Sequence, residues 1–259
     1  MNRTFLARLH FDGTHFIGWQ VQAEGRSVQG EVERVLARLG GGPVRAHAAG
    51  RTDAGVHALG LGVSFTLPER WSAGELHRAL NALLPEDCWT ASVQVMAPGF
   101  HARRSAEGRR YRYVIGVDPG ARSPFRRRWE WDLCRPLDME ALQRAAEPLS
   151  GRHDFRAFAA RGAERPHYEC TIHEARWFPR PDGRGMMLEI AADRFLHHMV
   201  RFLVGTMVDV ALERRPETDI AELLKRTDNA DTSPPAPAHG LFFLDASYPV
   251  SCFAAEGVT

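Results

Sequence analysis

From Thr4 to Phe11 the side chains alternate, with Phe5, Ala7, Leu9 and Phe11 on one face and Leu6, Arg8 and His10 on the other, which predicts a half-buried strand. Ser27 then stands as an N-cap for a helix running to Leu39, with Val28, Val32, Val35, Leu36 and Leu39 along one side. Gly40-Gly41-Gly42-Pro43 ends it. Val44–Ala49 and Leu61–Leu67 read as strands. Ser72 and Glu75 form a capping box ahead of a helix carrying Leu76, Ala79, Leu80 and Leu83, and Trp89–Met96 is a further strand. The order is β-α-β-β-α-β.

The second half repeats that order without obvious sequence identity. Arg109–Val117 reads as a strand and Met139–Leu149 as a helix. Ile172–Phe178 and Met186–Ala192 read as strands joined by the turn Pro179-Arg180-Pro181-Asp182-Gly183. A long helix follows over Phe195–Leu212, and a last strand over Phe242–Tyr248. The expected fold is α+β: two tandem ferredoxin- or RNA-recognition-like units forming an extended antiparallel sheet, with helices on one face and the other face bare. The expected division is 1–106, 107–250 and a tail at 251–259. Trp129–Pro136 and His153–Glu169 read as insertions, Glu217–Arg226 as a short added helix, and Asp231–Gly240, with three prolines, as a stiff loop.

Composition narrows the function classes. The chain has 259 residues, 44% of them hydrophobic and 25% charged, which suits a folded protein of one or two domains. No apolar run approaches the ~20 residues of a membrane span. The N-terminus enters the strand pattern with no apolar signal core, so a cytoplasmic protein is expected. Cys88, Cys134, Cys170 and Cys252 are scattered without a CxxC pair, and the 12 histidines include no HExxH, so neither a metal site nor a disulfide framework is expected. Net charge is only +1, yet nine arginines lie between His101 and Arg128 against Glu107 and Asp118. Arginine forks suit phosphate oxygens and stack on bases.

One carboxylate sits in an unusual string. Asp53 lies in Gly50-Arg51-Thr52-Asp53-Ala54-Gly55-Val56-His57, between two strands and flanked by glycines. Spacing alone reads it as an Asx-turn residue. The whole string, however, resembles the signature of the TruA-type tRNA pseudouridine synthases. Further matches occur in register: Gly18-Trp19-Gln20, Ser27-Val28-Gln29-Gly30, Asn81-Ala82-Leu83-Leu84-Pro85, Phe100-His101-Ala102-Arg103, Arg110-Tyr111-Arg112-Tyr113, Phe195-Leu196-His197-His198-Met199-Val200-Arg201 and Ala236-Pro237-Ala238-His239-Gly240-Leu241. The resemblance spans roughly residues 4–249.

The resemblance implies an enzyme that isomerises uridine to pseudouridine at positions 38, 39 and 40 of the tRNA anticodon arm. It implies no cofactor, and a homodimer with tRNA across both subunits. The target base must be flipped out to expose its glycosidic bond. Asp53 then attacks the nucleotide or abstracts a ribose proton; sequence does not choose between these. By the same resemblance Arg201 pairs with Asp53, Tyr111 stacks on the base with a phenol placed to assist proton removal from C5, Arg51 either enters the stack or holds the flipped nucleotide's phosphate, and Leu241 lines the pocket wall or serves the fold alone. Arg103, Arg110 and the other arginines up to Arg128 would grip phosphates. Tyr113 reads equally as a core aromatic. The chain departs from the family pattern at Cys170, Arg104 and Phe202, which puts local RNA contacts in doubt more than the reaction. Two rival functions remain: a non-catalytic RNA-binding protein with two RNA-recognition-like units, and a glycosidase-like hydrolase. The latter normally needs a second carboxylate, and Asp12 and Glu69 have no special context.

Overall fold

The computed structural model describes residues 1–160 and 167–254. The expected insertion at 153–169 therefore lies partly outside the described residues, as does the tail from 255 on. The elements in order are β1 (Asn2–Phe11), α1 (Val28–Gly40), β2 (His47–Ala48), β3 (His57–Pro68), α2 (Ala73–Leu83), β4 (Cys88–Met96), β5 (Gly108–Gly116), β6 (Trp131–Asp132), α3 (Met139–Ala146), β7 (Gly151–Asp154), β8 (Glu169–Pro179), β9 (Gly185–Ala192), α4 (Met199–Ala211), α5 (Asp219–Leu223) and β10 (Leu241–Ser247). The class is α+β with mostly antiparallel strands, as the hydrophobic pattern predicts. No helix among the described residues is long and apolar enough to cross a membrane.

The chain forms two compact units, Met1–Arg109 together with the segment from Phe243, and Arg110–Phe242. In the first unit the strand order is β4-β1-β3-β10. Both neighbours of β1 run antiparallel to it. Ser27 caps α1 by accepting the Gly30 N–H, and Ser72 and Glu75 complete a reciprocal capping box on α2. The buried face of α1 is Val28, Val32, Val35, Leu36 and Leu39, the stripe expected from spacing.

Three expectations for this unit change. The strand expected at Val44–Ala49 shrinks to β2, two residues paired with β3. β3 starts at His57 rather than Leu61, because its pairing with β1 slips at Leu9/His10, where Gly60 is skipped. A Cβ on Gly60 would lie 2.2 Å from the Leu244 carbonyl oxygen, so glycine here allows β10 to approach. Nor is the second sheet face wholly bare. Leu6 is fully buried against Met96, Phe100 and Ala102, with Tyr248 and Phe253 packed on the cluster. The segments after β4 and β10 return across that face.

The second unit has strand order β5-β9-β8-β7. β6 adds a short parallel pairing, Ile115↔Trp131, beside β5. The β8–β9 hairpin turns through Gly183 at φ +69°. α3 buries Ala141, Leu142, Ala145 and Ala146. α4 begins at Met199, four residues later than its apolar pattern predicts. His198 is left-handed at φ 62°, which a continuing helix cannot accommodate. The His197 and His198 rings lie only 4.0 Å apart, instead of the ~100° separation expected of helical neighbours.

Candidate active site

In the first unit three separate sequence motifs become one hydrogen-bonded assembly. Trp19 donates its N–H to the Thr52 carbonyl at 3.0 Å, and Gly18 forms an antiparallel bridge with Asp53. On the other side, Val28 donates to the Gly18 carbonyl at 3.2 Å and Gln29 to the Trp19 carbonyl at 2.9 Å. The Gly18-Trp19-Gln20 segment is thus held between the start of α1 and the Asp53 loop. Close approach demands glycine here: Gly18 has φ +112°, and a Cβ on it would sit 2.6 Å from the Thr52 oxygen. Gly55, at φ +77°, lets the loop turn while its N–H reaches the Phe16 carbonyl at 3.3 Å.

Beneath the loop lies a buried imidazole. His57 is 1% exposed, and its Nδ1 accepts the Gly13 N–H at 3.0 Å. Asp12 Oδ1 lies 3.2 Å from the same nitrogen. Asp12, which has no special context in the sequence, therefore approaches the imidazole that follows the Asp53 loop and also caps the short turn after β1. Asp53 itself is half-buried and Arg51 is exposed. The loop's entry is fastened by Arg109, which donates to the carbonyls of Ala49 (3.2 Å), Ala106 (3.0 Å) and Arg103 (2.6 Å).

In the second unit Arg201 occupies the first turn of α4. Its Nε donates to the Ala236 carbonyl at 2.7 Å, and the Ala236 N–H donates back to the Arg201 carbonyl at 2.9 Å. One turn on, Gly205 leaves room for the 234–237 loop: a Cβ there would meet the Pro234 oxygen at 2.2 Å. Tyr111, 8% exposed, sets its ring edge-on to Phe195 at 5.1 Å. Leu241 is buried at the start of β10.

A family model described as tRNA pseudouridine synthase matches residues 7–103 and 145–249. The chain is 41% identical over 242 residues to the tRNA pseudouridine synthase A of Moorella thermoacetica, covering 93% of this chain and 97% of the relative. It is 41% identical over 251 residues to the protein of that name from Thermus thermophilus (95% and 97% covered), and 37% over 238 residues to that from Maridesulfovibrio salexigens (92% and 88%). The chain belongs to the tRNA pseudouridine synthase family. These enzymes are isomerases that convert uridine to pseudouridine.

Within the synthase, the arginines at 103–128 divide by environment. Arg110 pairs with Glu174 at 2.8 Å and approaches Glu189 at 3.5 Å; Arg112 pairs with Glu189 at 2.5 Å. Arg126 binds both oxygens of Asp118, at 2.9 and 2.7 Å, and holds that carboxylate down to about 2. Arg109 serves backbone carbonyls, as above. Arg103, Arg104, Arg122 and Arg127 are exposed. A run of like charge in the sequence therefore becomes a few solvent-facing cations among several committed to the fold.

Tyr113 proves to be a core residue of the synthase. It is fully buried, its hydroxyl donates to the Pro237 carbonyl at 2.7 Å, and burial drives its ionisation well above the usual phenol range. Gly240 is required beside it, since a Cβ would press on the ring at 2.7 Å. The bond ties β5 to the loop that also receives Arg201. Replacing Tyr113 by Phe leaves the half-buried Pro237 carbonyl without this donor, and a stability loss of about 1 kcal/mol is expected in urea unfolding. Sequence reasoning missed Asp12, Arg109 and the anchoring role of His57. The contacts that tie them to the loop, Gly13 to His57 and Arg109 to Ala49, span 44 and 60 residues, and no local pattern reports them.

Proposed function

We propose that this synthase isomerises uridine to pseudouridine at positions 38, 39 and 40 of the tRNA anticodon arm, with Asp53 as its catalytic carboxylate. The observation that carries the reading is the joining of Gly18-Trp19-Gln20, Ser27-Val28-Gln29-Gly30 and the Asp53 loop by backbone hydrogen bonds. Such fixing on backbone from three segments is what a preorganised reacting group needs.

The reaction breaks the C1′–N1 bond, turns the base and forms a C1′–C5 bond. The C5 proton leaves to solvent and N1 takes one up, so composition is unchanged and no oxidant, reductant or cofactor is consumed. Asp53 acts on the flipped nucleotide. Arg201 is assigned to orient that carboxylate, which is supported by the anchoring of its Nε on the Ala236 carbonyl. Tyr111 is assigned to stack on the target base, supported by a ring whose tilt Phe195 fixes. Arg51 is assigned to hold the flipped nucleotide, supported by its exposure two residues before Asp53, and Leu241 to line the pocket wall. Arg103 is placed on phosphate. Arg110 shares that assignment only if phosphate competes with Glu174 and Glu189. The reading also takes the enzyme to act in the cytoplasm as a homodimer across which one tRNA lies; light scattering that gave a monomer at working concentration would remove the shared-tRNA part.

The test is release of tritium from tRNA labelled at uridine C5. Release is expected from transcripts with uridine at 38, 39 or 40 and not from transcripts lacking it there. Tight tRNA binding by the folded protein without release from any transcript would replace this reading with a non-catalytic RNA-binding protein. Free uracil as product would replace it with a hydrolase.

A further inference from the structure

Between β5 and β6 the chain makes an excursion from Val117 to Glu130 and returns to pair beside its own starting point, Ile115↔Trp131 and Gly116↔Asp132. Its base is tightly built. Asp118 takes both Nη groups of Arg126 and the Gly120 N–H at 3.0 Å. Glu130, 3% exposed, forms ion pairs with Arg126 at 2.8 Å and with Arg180. Ala121 is fully buried. Backbone bonds from Ser123 to Gly120, from Arg126 and Arg127 to Ser123, and from Trp129 to Arg126 wind the remainder into consecutive turns.

The rim has the opposite character. Phe125 is 86% exposed and Trp129 39%. Arg122 and Arg127 are exposed, and the Arg128 guanidinium lies over the Trp129 ring at 5.7 Å. From Pro119 to Trp129 the sequence has no acidic residue. A single exposed aromatic is ordinary on a protein surface. Two aromatics interleaved with three arginines, on a loop whose acids all sit in its base, make a surface with a definite chemistry. It offers π-faces for bases and cations for the phosphates between them. Its charge complements a polyanion and opposes a basic partner. In the same unit His239, two residues before Leu241, is held below the usual imidazole range first by burial; Asp132 opposes this, while the positive charges of Arg127 and Arg201 add to it.

We infer that the 117–130 loop is an RNA grip, on which Phe125 and Trp129 stack unpaired bases of the tRNA outside the target nucleotide while Arg122, Arg127 and Arg128 hold the adjoining phosphates. This rests on the tRNA reading above and adds to it a preformed contact separate from the Asp53 loop. The rigid base keeps the rim ordered before RNA arrives, so little ordering entropy is lost on binding.

The experiment is equilibrium binding of an unmodified tRNA transcript at several salt concentrations. Phe125→Ala is expected to weaken binding by about 5- to 150-fold, the range for losing one base stack, with an unchanged melting temperature because the side chain packs on little. Phe125→Trp should restore most of the affinity. Arg122→Ala and Arg127→Ala should each reduce the log–log salt slope by about 0.7–0.9. Equal affinity for wild type, Phe125→Ala and Phe125→Trp would overturn the inference. So would a fall in molecular mass of Phe125→Ala by light scattering without loss of tRNA affinity, which would make the rim a contact between copies of the chain. Tritium release by the wild-type protein is scored separately. If release is absent but binding still depends on Phe125, the isomerase reading fails and the grip stands.

Discussion

Asp53→Ala is expected to slow tritium release from labelled tRNA by about 10⁴-fold or more, the scale seen when a reacting carboxylate or nucleophile is deleted. The effect should be chemical rather than structural. The loop is held through the Thr52 carbonyl, the Gly55 N–H, the Asp53 carbonyl, which accepts the Val56 N–H at 3.2 Å, and the Gly18 bridge. Alanine keeps every one of those backbone groups. Asp53→Asn, which keeps the shape but not the charge, should fall by a comparable factor. Single-turnover kinetics with saturating enzyme separates the chemical step from binding. A loss under tenfold in both variants, with intact melting curves, would remove Asp53 from the chemistry.

Gly13→Ala is expected to have a large effect although it lies outside the proposed reacting groups. A Cβ there would lie 2.0 Å from the Val56 carbonyl oxygen and 2.6 Å from its carbon. Both are backbone atoms and cannot swing aside. The same glycine donates its N–H to His57 Nδ1, so displacing it also disturbs the buried imidazole. Overpacking of this kind costs about 1–3 kcal/mol or more. For a chain of this size that lowers the melting temperature by roughly 2–4 °C per kcal/mol. Activity should suffer further, because a loop displaced by about 1 Å can cost around 10²-fold in rate. Gly42→Ala is the control: nothing lies within 4 Å of its added Cβ, and neither stability nor rate should move. A Gly13→Ala protein with wild-type melting and rate would mean that the turn after β1 does not support the Asp53 loop.

Much of the secondary structure was legible because it is written locally. α1 and α2 follow from an apolar stripe, an N-cap serine and a capping box, all within about a dozen residues. The long helix was misplaced at its start for an equally local reason. Phe195 to Val200 satisfies the helical apolar pattern, but His198 adopts a left-handed conformation that residue type does not announce. The short strands β6 and β7 went unread because two to four residues carry no periodicity.

The candidate site was legible as residue types and not as an arrangement. The Asp53 string and its companion motifs carry the resemblance to the pseudouridine synthases with no coordinates at all, and that resemblance names Asp53, Arg51, Tyr111, Arg201 and Leu241. The motifs do not report that Gly18-Trp19 is the backbone cradle of the Asp53 loop, or that His57 reaches back to Gly13. Nor did a run of arginines show which charges are neutralised: Arg110, Arg112 and Arg126 face glutamates or aspartate, while Arg122 and Arg127 face solvent.

The sequence by itself thus determined the α+β order, the capped helices, the family and the identities of the residues proposed for the chemistry, because each is encoded in neighbours along the chain. The tertiary structure alone decided that the chain from Phe243 on joins the first unit beside β3 although it follows the second, that Tyr113 is a buried tie to Pro237, and which arginines remain exposed. Those outcomes depend on close approaches and hydrogen bonds between segments tens of residues apart, where a glycine's missing Cβ or one long-range hydrogen bond settles the geometry.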